Sequence, residues 1–310
     1  MTQVEDDSRE MRLDPDSFAQ GYFKNAVYRH WDPYDIEGLE GDKEKFLEVE
    51  PTAAEFEEFR TAVSRFGAGE EAVTEDLMPL ALVLEDINDQ MFVSSQIYEE
   101  GKHTQFFDRY WREVVDPVAA ELGYEQTNPT DQRYFNDHYV ALLDETEAAM
   151  ERLLTDDTPA NRARAYCHYH LTVESVLAQT GYYGFTSAFS ASGSDEVAQR
   201  DWPDMNGIVN GITKIRSDEG RHVGFGMNKV RELVQSGQVD EAVVQETLQE
   251  LMPHVAGTVG DFGDAINPGP LVMYARDKLT RRIDIITDAE AAVPPVDELV
   301  DLGDSPAAAD

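Results

Sequence analysis

The chain has 310 residues, with 62 acidic against 25 basic side chains, a formal net charge of −37 at pH 7 and 41% hydrophobic residues. That much apolar surface excludes a chain too polar to fold, and a field of that sign repels nucleic acid and anionic membranes. The single cysteine, Cys167, excludes an internal disulfide and thiolate metal clusters, so any metal must be held by imidazole and carboxylate. No apolar run reaches 18 residues and the N-terminus lacks a basic-then-apolar order, so the expectation is a cytoplasmic protein that does not span a membrane. Only seven of the basic residues are Lys. With acids spread along the whole chain, this is read as a halophilic composition, expected of a haloarchaeal cytoplasm.

Residues 1–50 are expected to be irregular, broken at Asp14-Pro15, Trp31-Asp32-Pro33 and Gly38 to Gly41. From 51 to 290 long helical patterns take over. Pro51-Thr52 opens the first, in which Phe56, Phe59, Val63 and Phe66 recur at helical spacing. Acids fill its first turns, and it reaches about Glu85 either unbroken or interrupted at Gly67 to Gly69. Further helices are predicted over about 88–120, 131–154, 160–190, 203–236, 240–262 and 268–288. Their breaks fall at Asn128-Pro129, Asp157 to Pro159, Gly193 to Asp195 and Asn267 to Pro270. Residues 291–310, with Pro294-Pro295 and an Asp/Ala-rich end, read as a flexible acidic tail. The fold class is all-α: one helical domain in which sites are built from side chains on facing helices.

Two segments carry one local signature: Glu99-Glu100-Gly101-Lys102-His103 and Asp218-Glu219-Gly220-Arg221-His222. Each contains Glu-x-x-His, and on a helix i and i+3 share a face, so a carboxylate and an imidazole can meet one ion. A single copy arises easily by chance. Two copies, both written Glu-Gly-basic-His inside apolar helical patterns, are the weak internal symmetry of a ferritin-like di-metal bundle, which needs one more Glu from each of two other helices. Glu70 fits the first role because Val73 and Leu77 continue its face inward. Glu174 fits the second as the only acid between Tyr166 and Ser194, where an uncompensated charge would be costly. His170, at i−4 from Glu174, is the competing ligand. Four carboxylates and two imidazoles balance two divalent ions and suit iron or manganese, with room left for O2. Asp218 stands one step off the ligand face and is expected to accept from the outer nitrogen of a ligand imidazole.

The order Glu, ExxH, Glu, ExxH resembles the small subunit of class I ribonucleotide reductase. More closely, GEEAVT at Gly69 to Thr74, EEGKHTQFF at Glu99 to Phe107, YHLTVE at Tyr169 to Glu174, TGYYGF at Thr180 to Phe185 and SDEGRH at Ser217 to His222 resemble the ribonucleotide-reductase-like ligand-binding oxidases. The resemblance implies a ferritin-like bundle of the reductase small-subunit type. It also implies a manganese/iron centre (di-iron as the variant), a long-chain fatty-acid-like ligand beside it, and a homodimer. Val73 and Tyr169 match the pair that this family joins by an ether link, Tyr182 matches a pocket tyrosine, and Trp31 resembles the tryptophan that relays electrons in reductase subunits. Two departures from the reductase are visible. Phe107 occupies the position, four residues after the first ligand His, where a radical tyrosine would stand, and no tyrosine follows Tyr274 to carry a radical to a large subunit.

The function expected is therefore an O2-activating oxidase that attacks aliphatic C–H bonds. The alternatives are a class I ribonucleoside-diphosphate reductase small subunit and, from another class, a ferritin-type metal-storage bundle.

Overall fold

In the computed structural model, which describes residues 11–191, 193, 194, 196–288 and 291–299, the long helical patterns become helices close to their expected bounds. α3 (Ala53–Val83) starts at a capping box, with the Thr52 side chain accepting from Glu55 N–H and the Glu55 carboxylate accepting from Thr52. It runs unbroken through Gly67 and Gly69. α4 (Ile87–Tyr110), capped by Asp86, continues through a π-helical stretch (Trp111–Val115) into α5 (Asp116–Leu122), which stops at left-handed Gly123. α6 is Asp137–Arg152 and α7 is Pro159–Tyr166. From α7 a π-helical stretch (Cys167–Ala178) leads into α8 (Gln179–Phe189). α9 (Asn206–Gln235), α10 (Glu241–Val259) and α11 (Pro268–Thr287) complete the expected set. Among the described residues there is no strand, only an isolated bridge between Ala198 and Ile266.

The segment up to residue 50, expected to be irregular, holds α1 (Phe18–Tyr28) and α2 (Leu39–Val49) around a short 3-10 turn (Pro33–Asp35). Their apolar stripes are only a few residues long, too short for periodicity to stand out between the breakers, but tertiary contacts hold them. Asp42 of α2 caps the N-terminus of α9, accepting from Gly207 N–H (2.9 Å), Ile208 N–H (2.8 Å) and the Tyr110 hydroxyl (3.0 Å). The segment expected to be a flexible tail carries one further helical element. A helical turn, α12 (Val296–Leu299), buries Leu299, whose carbonyl accepts from Arg282 at 2.6 Å. The remainder of that tail, 300–310, lies outside the described residues.

α3, α4, the π-stretch and α9 pack face to face, and their shared interior holds the buried acids Glu70, Glu99, Glu100, Glu174, Asp218 and Glu219 beside His103 and His222. Buried charge on that scale is tolerated only where it is mutually compensated or neutralised by cations. The architecture thus delivers four helices to one polar centre inside an apolar shell.

Candidate metal centre

Each imidazole turns its Nδ1 inward. The Nδ1 of His103 lies 3.3 Å from Glu70 Oε2, 3.0 Å from Glu100 Oε2 and 3.5 Å from Glu219 Oε1. That of His222 lies 3.0 Å from Glu100 Oε1, 3.5 Å from Glu174 Oε1 and 3.6 Å from Glu219 Oε2. Glu100 and Glu219 therefore each present one oxygen to either imidazole, while Glu70 serves only the His103 side and Glu174 only the His222 side. The donor atoms form two overlapping sets, Glu70/Glu100/His103/Glu219 and Glu100/Glu174/His222, each with all its atoms within 4.8 Å of one another. The structure brings all six sequence-identified residues together.

Beyond the six, the two motifs brace one another crosswise. Glu99 Oε2 stands 2.9 Å from His222 Nε2, and Asp218 Oδ2 stands 3.3 Å from His103 Nε2, so the acid before each ligand Glu backs the other helix's imidazole. Arg221 donates to both Glu99 and Asp218, and Lys102 Nζ donates to Asp218 Oδ2 at 2.9 Å. Trp31 donates its indole N–H to the same Asp218 oxygen at 2.7 Å and stacks parallel to His103, with centroids 6.1 Å apart. Sequence reasoning found Asp218 and missed Glu99. The signal was present, since Glu99 is to Glu100 what Asp218 is to Glu219. It missed Gln96 too, which donates to Glu174 Oε1 at 2.8 Å.

The electrostatics describe a donor set that calls for cations. Burial pushes the Glu70 carboxyl up to about 8 and raises Glu174 and Glu219 as well, the neighbouring carboxylates adding to it. Against its own burial, Glu100 is drawn well below the usual range by His222 and His103. His222 Nδ1, Glu174 Oε2 and Glu219 Oε2 are buried and make no well-aligned hydrogen bond among the described residues. Two divalent ions would balance four carboxylates, and an oxygen-rich set with one imidazole per ion suits manganese and iron.

His170 is not part of either set. It sits on the π-stretch, where Thr172 Oγ1 donates five residues back to the Cys167 carbonyl at 2.8 Å. The wider turn brings i−5 back toward a face that an α-helix reserves for i−3 and i−4. Tyr169, five residues before Glu174, thus reaches the centre, its hydroxyl donating to Glu100 Oε1 at 3.2 Å. His170 instead faces Gln96.

An apolar cavity of about 100 Å³ ends on the cluster, and Glu70, Glu100, Glu174 and Glu219 all line it. Val73, Val173, Leu177, Phe185, Phe262 and Leu271 form part of its walls. Tyr182 is also in the wall, its hydroxyl donating to Glu70 Oε1 at 3.4 Å. Phe107 is buried and stacks on Phe66, which stacks in turn on Tyr182. Gly181 admits that stack, for a Cβ there would fall 2.4 Å from the Phe66 ring. Gly184 meets Leu271 only at ordinary contact distance.

Fold and side-chain set together define a ferritin-like helical protein with a buried carboxylate/histidine cluster able to hold a metal pair. No protein-family model matches the chain. In three dimensions it is similar to solved structures of R2-like ligand-binding oxidases. One variant of such an oxidase, with aerobically reconstituted Mn/Fe cofactor, superposes with a TM-score of 0.75 at 26% identity, covering 91% of this chain and 98% of that one. Another, reconstituted anaerobically with Mn/Fe, gives 0.74 at 28% identity over 88% and 94%. The resemblance read from the motifs is borne out, as is the ferritin-like fold. Among the described residues no helix is long and apolar enough to cross a membrane.

Proposed function

We propose that the protein is an oxidoreductase that activates O2 at a manganese/iron pair held by Glu70, Glu100, His103, Glu174, Glu219 and His222. Its ligand is a long-chain, fatty-acid-like molecule in the apolar cavity, and it oxidises aliphatic C–H bonds. The observation that carries this reading is the cavity, whose walls are hydrocarbon and whose carboxylates are those of the cluster. A storage bundle needs a polar route for ions to leave by, and an apolar wall serves that poorly. A bound Mn/Fe pair supplies the redox chemistry.

The chain's own residues then have definite tasks. Glu100, shared by both donor sets, would serve both positions, Asp218 and Glu99 would fix the imidazoles, and Tyr182 would orient Glu70. Val73 and Tyr169 are the pair proposed to couple. Coupling forms a bond between Val73 Cβ and the Tyr169 oxygen and removes a hydrogen from each, two electrons and two protons in all, with O2 as the acceptor. Burial and the surrounding glutamates hold the Tyr169 phenol protonated, with its hydroxyl donating to Glu100, so its proton must leave with oxidation.

One observation favours a second reading, a class I ribonucleoside-diphosphate reductase small subunit. Trp31, Asp218 and His103 form a hydrogen-bonded chain that would serve as an electron path to the cluster. Buried Phe107 offers no tyrosyl radical site in exchange.

Elemental analysis of protein loaded with both metals tests the reading: two transition-metal ions per chain, manganese and iron, are expected. One zinc per chain overturns it. Mass spectrometry of solvent-extracted native protein should find a long-chain lipid, and sizing chromatography a dimer rather than a storage shell.

A further inference from the structure

His170 is buried on the π-stretch that carries Tyr169 and Glu174, its Cβ packed where Gly226 of α9 leaves room. Any Cβ at Gly226 would lie 2.2 Å from it. Its Nε2 is 3.3 Å from Gln96 Oε1, its Nδ1 makes no hydrogen bond among the described residues, and Gln96 Nε2 donates to Glu174 Oε1 at 2.8 Å. With Glu174 ionised, as a metal ligand must be, only one assignment of hydrogens fits all three observations. The amide must point its NH2 at the carboxylate, because its oxygen there would face another acceptor. Its oxygen then faces His170, which must carry its proton on Nε2 to donate. Burial, which depresses His170 to about 3, keeps the ring neutral with a single N–H to give.

We infer that His170 and Gln96 form a positioning relay for Glu174. His170 fixes the orientation of the Gln96 amide, and the amide fixes the rotation of the Glu174 carboxylate. The donated hydrogen bond falls on Oε1, the oxygen 3.5 Å from His222 Nδ1, while Oε2 makes no hydrogen bond among the described residues. A carboxylate held at one oxygen cannot swing freely between one-oxygen and two-oxygen coordination, so the relay governs how the His222 position grips its ion. At the opposite position Glu70 takes the longer Tyr182 hydroxyl bond of 3.4 Å and lies 3.3 Å from His103 Nδ1, with no amide relay behind it among the described residues. The relay rests on the metal reading above.

The test uses full-length protein loaded with manganese and iron and follows release of each ion to a chelator. Gln96→Leu and His170→Leu should release one of the two ions about 10–100-fold faster, the range typical when outer partners of metal ligands are lost. His170→Gln, whose amide N–H can replace the imidazole donor, should release both at the wild-type rate. Gln96→Glu, near-isosteric, keeps an acceptor for His170 but turns an acceptor on Glu174, so it should show the same selective loss and serves if a Leu variant fails to fold. Wild-type release from the Gln96 variants overturns the relay, as does His170→Gln releasing as fast as His170→Leu, which would reduce His170 to packing. A wild-type chain that retains no metal overturns the metal reading itself, and the relay with it.

Discussion

The Glu99 carboxylate lies 2.9 Å from the outer nitrogen of His222, an imidazole borne by a helix other than its own. Its remaining oxygen is held by Arg221, which also grips Asp218. The charge behind His222 raises the basicity of the inward nitrogen, and its loss should be felt as weaker metal binding. Glu99→Gln is expected to weaken binding at the His222 position by about 10–100-fold while leaving the His103 position within a few-fold. Competition titration against a chelator checks this, and equal weakening at both positions would refute the crosswise pairing.

Much of this was legible in the sequence, for a reason that also explains what was not. The duplicated Glu-Gly-basic-His signature is a local pattern fixed by helical spacing, so it pointed directly to Glu100, His103, Glu219 and His222. Glu70 and Glu174 were readable because a charge in an apolar helical stretch demands a reason. The π-stretch was invisible because it conserves helical composition and changes only the winding. For that reason His170 looked like a rival ligand at i−4, while Tyr169 at i−5 needed the family resemblance to bring it in. α1 and α2 were missed because what secures them, such as Asp42 capping α9, is contact between residues more than 160 positions apart.

Asp76 on α3 is buried with Oδ2 unpartnered, and burial together with Glu147, Glu75 and Glu151 pushes its carboxyl up to about 7. The folded state therefore binds this proton more tightly than the unfolded chain, whose Asp titrates near the ordinary 3.8. Stability is unaffected by this group below that ordinary value, declines as pH rises from it, and reaches its full penalty above about 7. Asp76→Asn should therefore stabilise the protein at pH 8 and not at pH 4. The gain should be about 1–2 kcal/mol, below the full linkage value because nearby solvent screens the charge. Denaturant unfolding at the two pH values measures it, and an equal effect at both would rule out titration as the cause.

Gly181 lies against the ring of Phe66, which is fixed between Phe107 and Tyr182. A methyl at Gly181 must push Phe66 away, and overpacking of this kind costs about 1–3 kcal/mol. Gly181→Ala should lower the melting temperature and reduce the lipid extracted per chain, because Phe66 lines the cavity. Unchanged ligand yield with a lowered melting temperature would mean that the stack supports the helices without shaping the cavity.

The coupling of Val73 to Tyr169 offers the sharpest separation of the readings. Val73 is buried in the cavity wall one turn beyond Glu70, and the Tyr169 hydroxyl is bonded to Glu100, so both belong to the surroundings of the same cluster. Exposing reduced, Mn/Fe-loaded protein to O2 should lower the intact mass by two hydrogens and give a branched tryptic peptide joining the two segments. Tyr169→Phe should abolish the mass change yet keep both metals, since it removes the oxygen that forms the bond and costs Glu100 one hydrogen bond, about 1 kcal/mol. Val73→Ala should lower the coupling yield, because a methyl C–H is harder to break than the tertiary Cβ–H of valine. A storage bundle would oxidise iron and leave its own chain unmarked, and a radical-initiating subunit would hold a persistent radical, for which Phe107 provides no tyrosine. Protein that keeps its unlinked mass with both metals bound and O2 consumed would remove Val73 and Tyr169 from the chemistry and leave the metals themselves or the cavity ligand as what is oxidised.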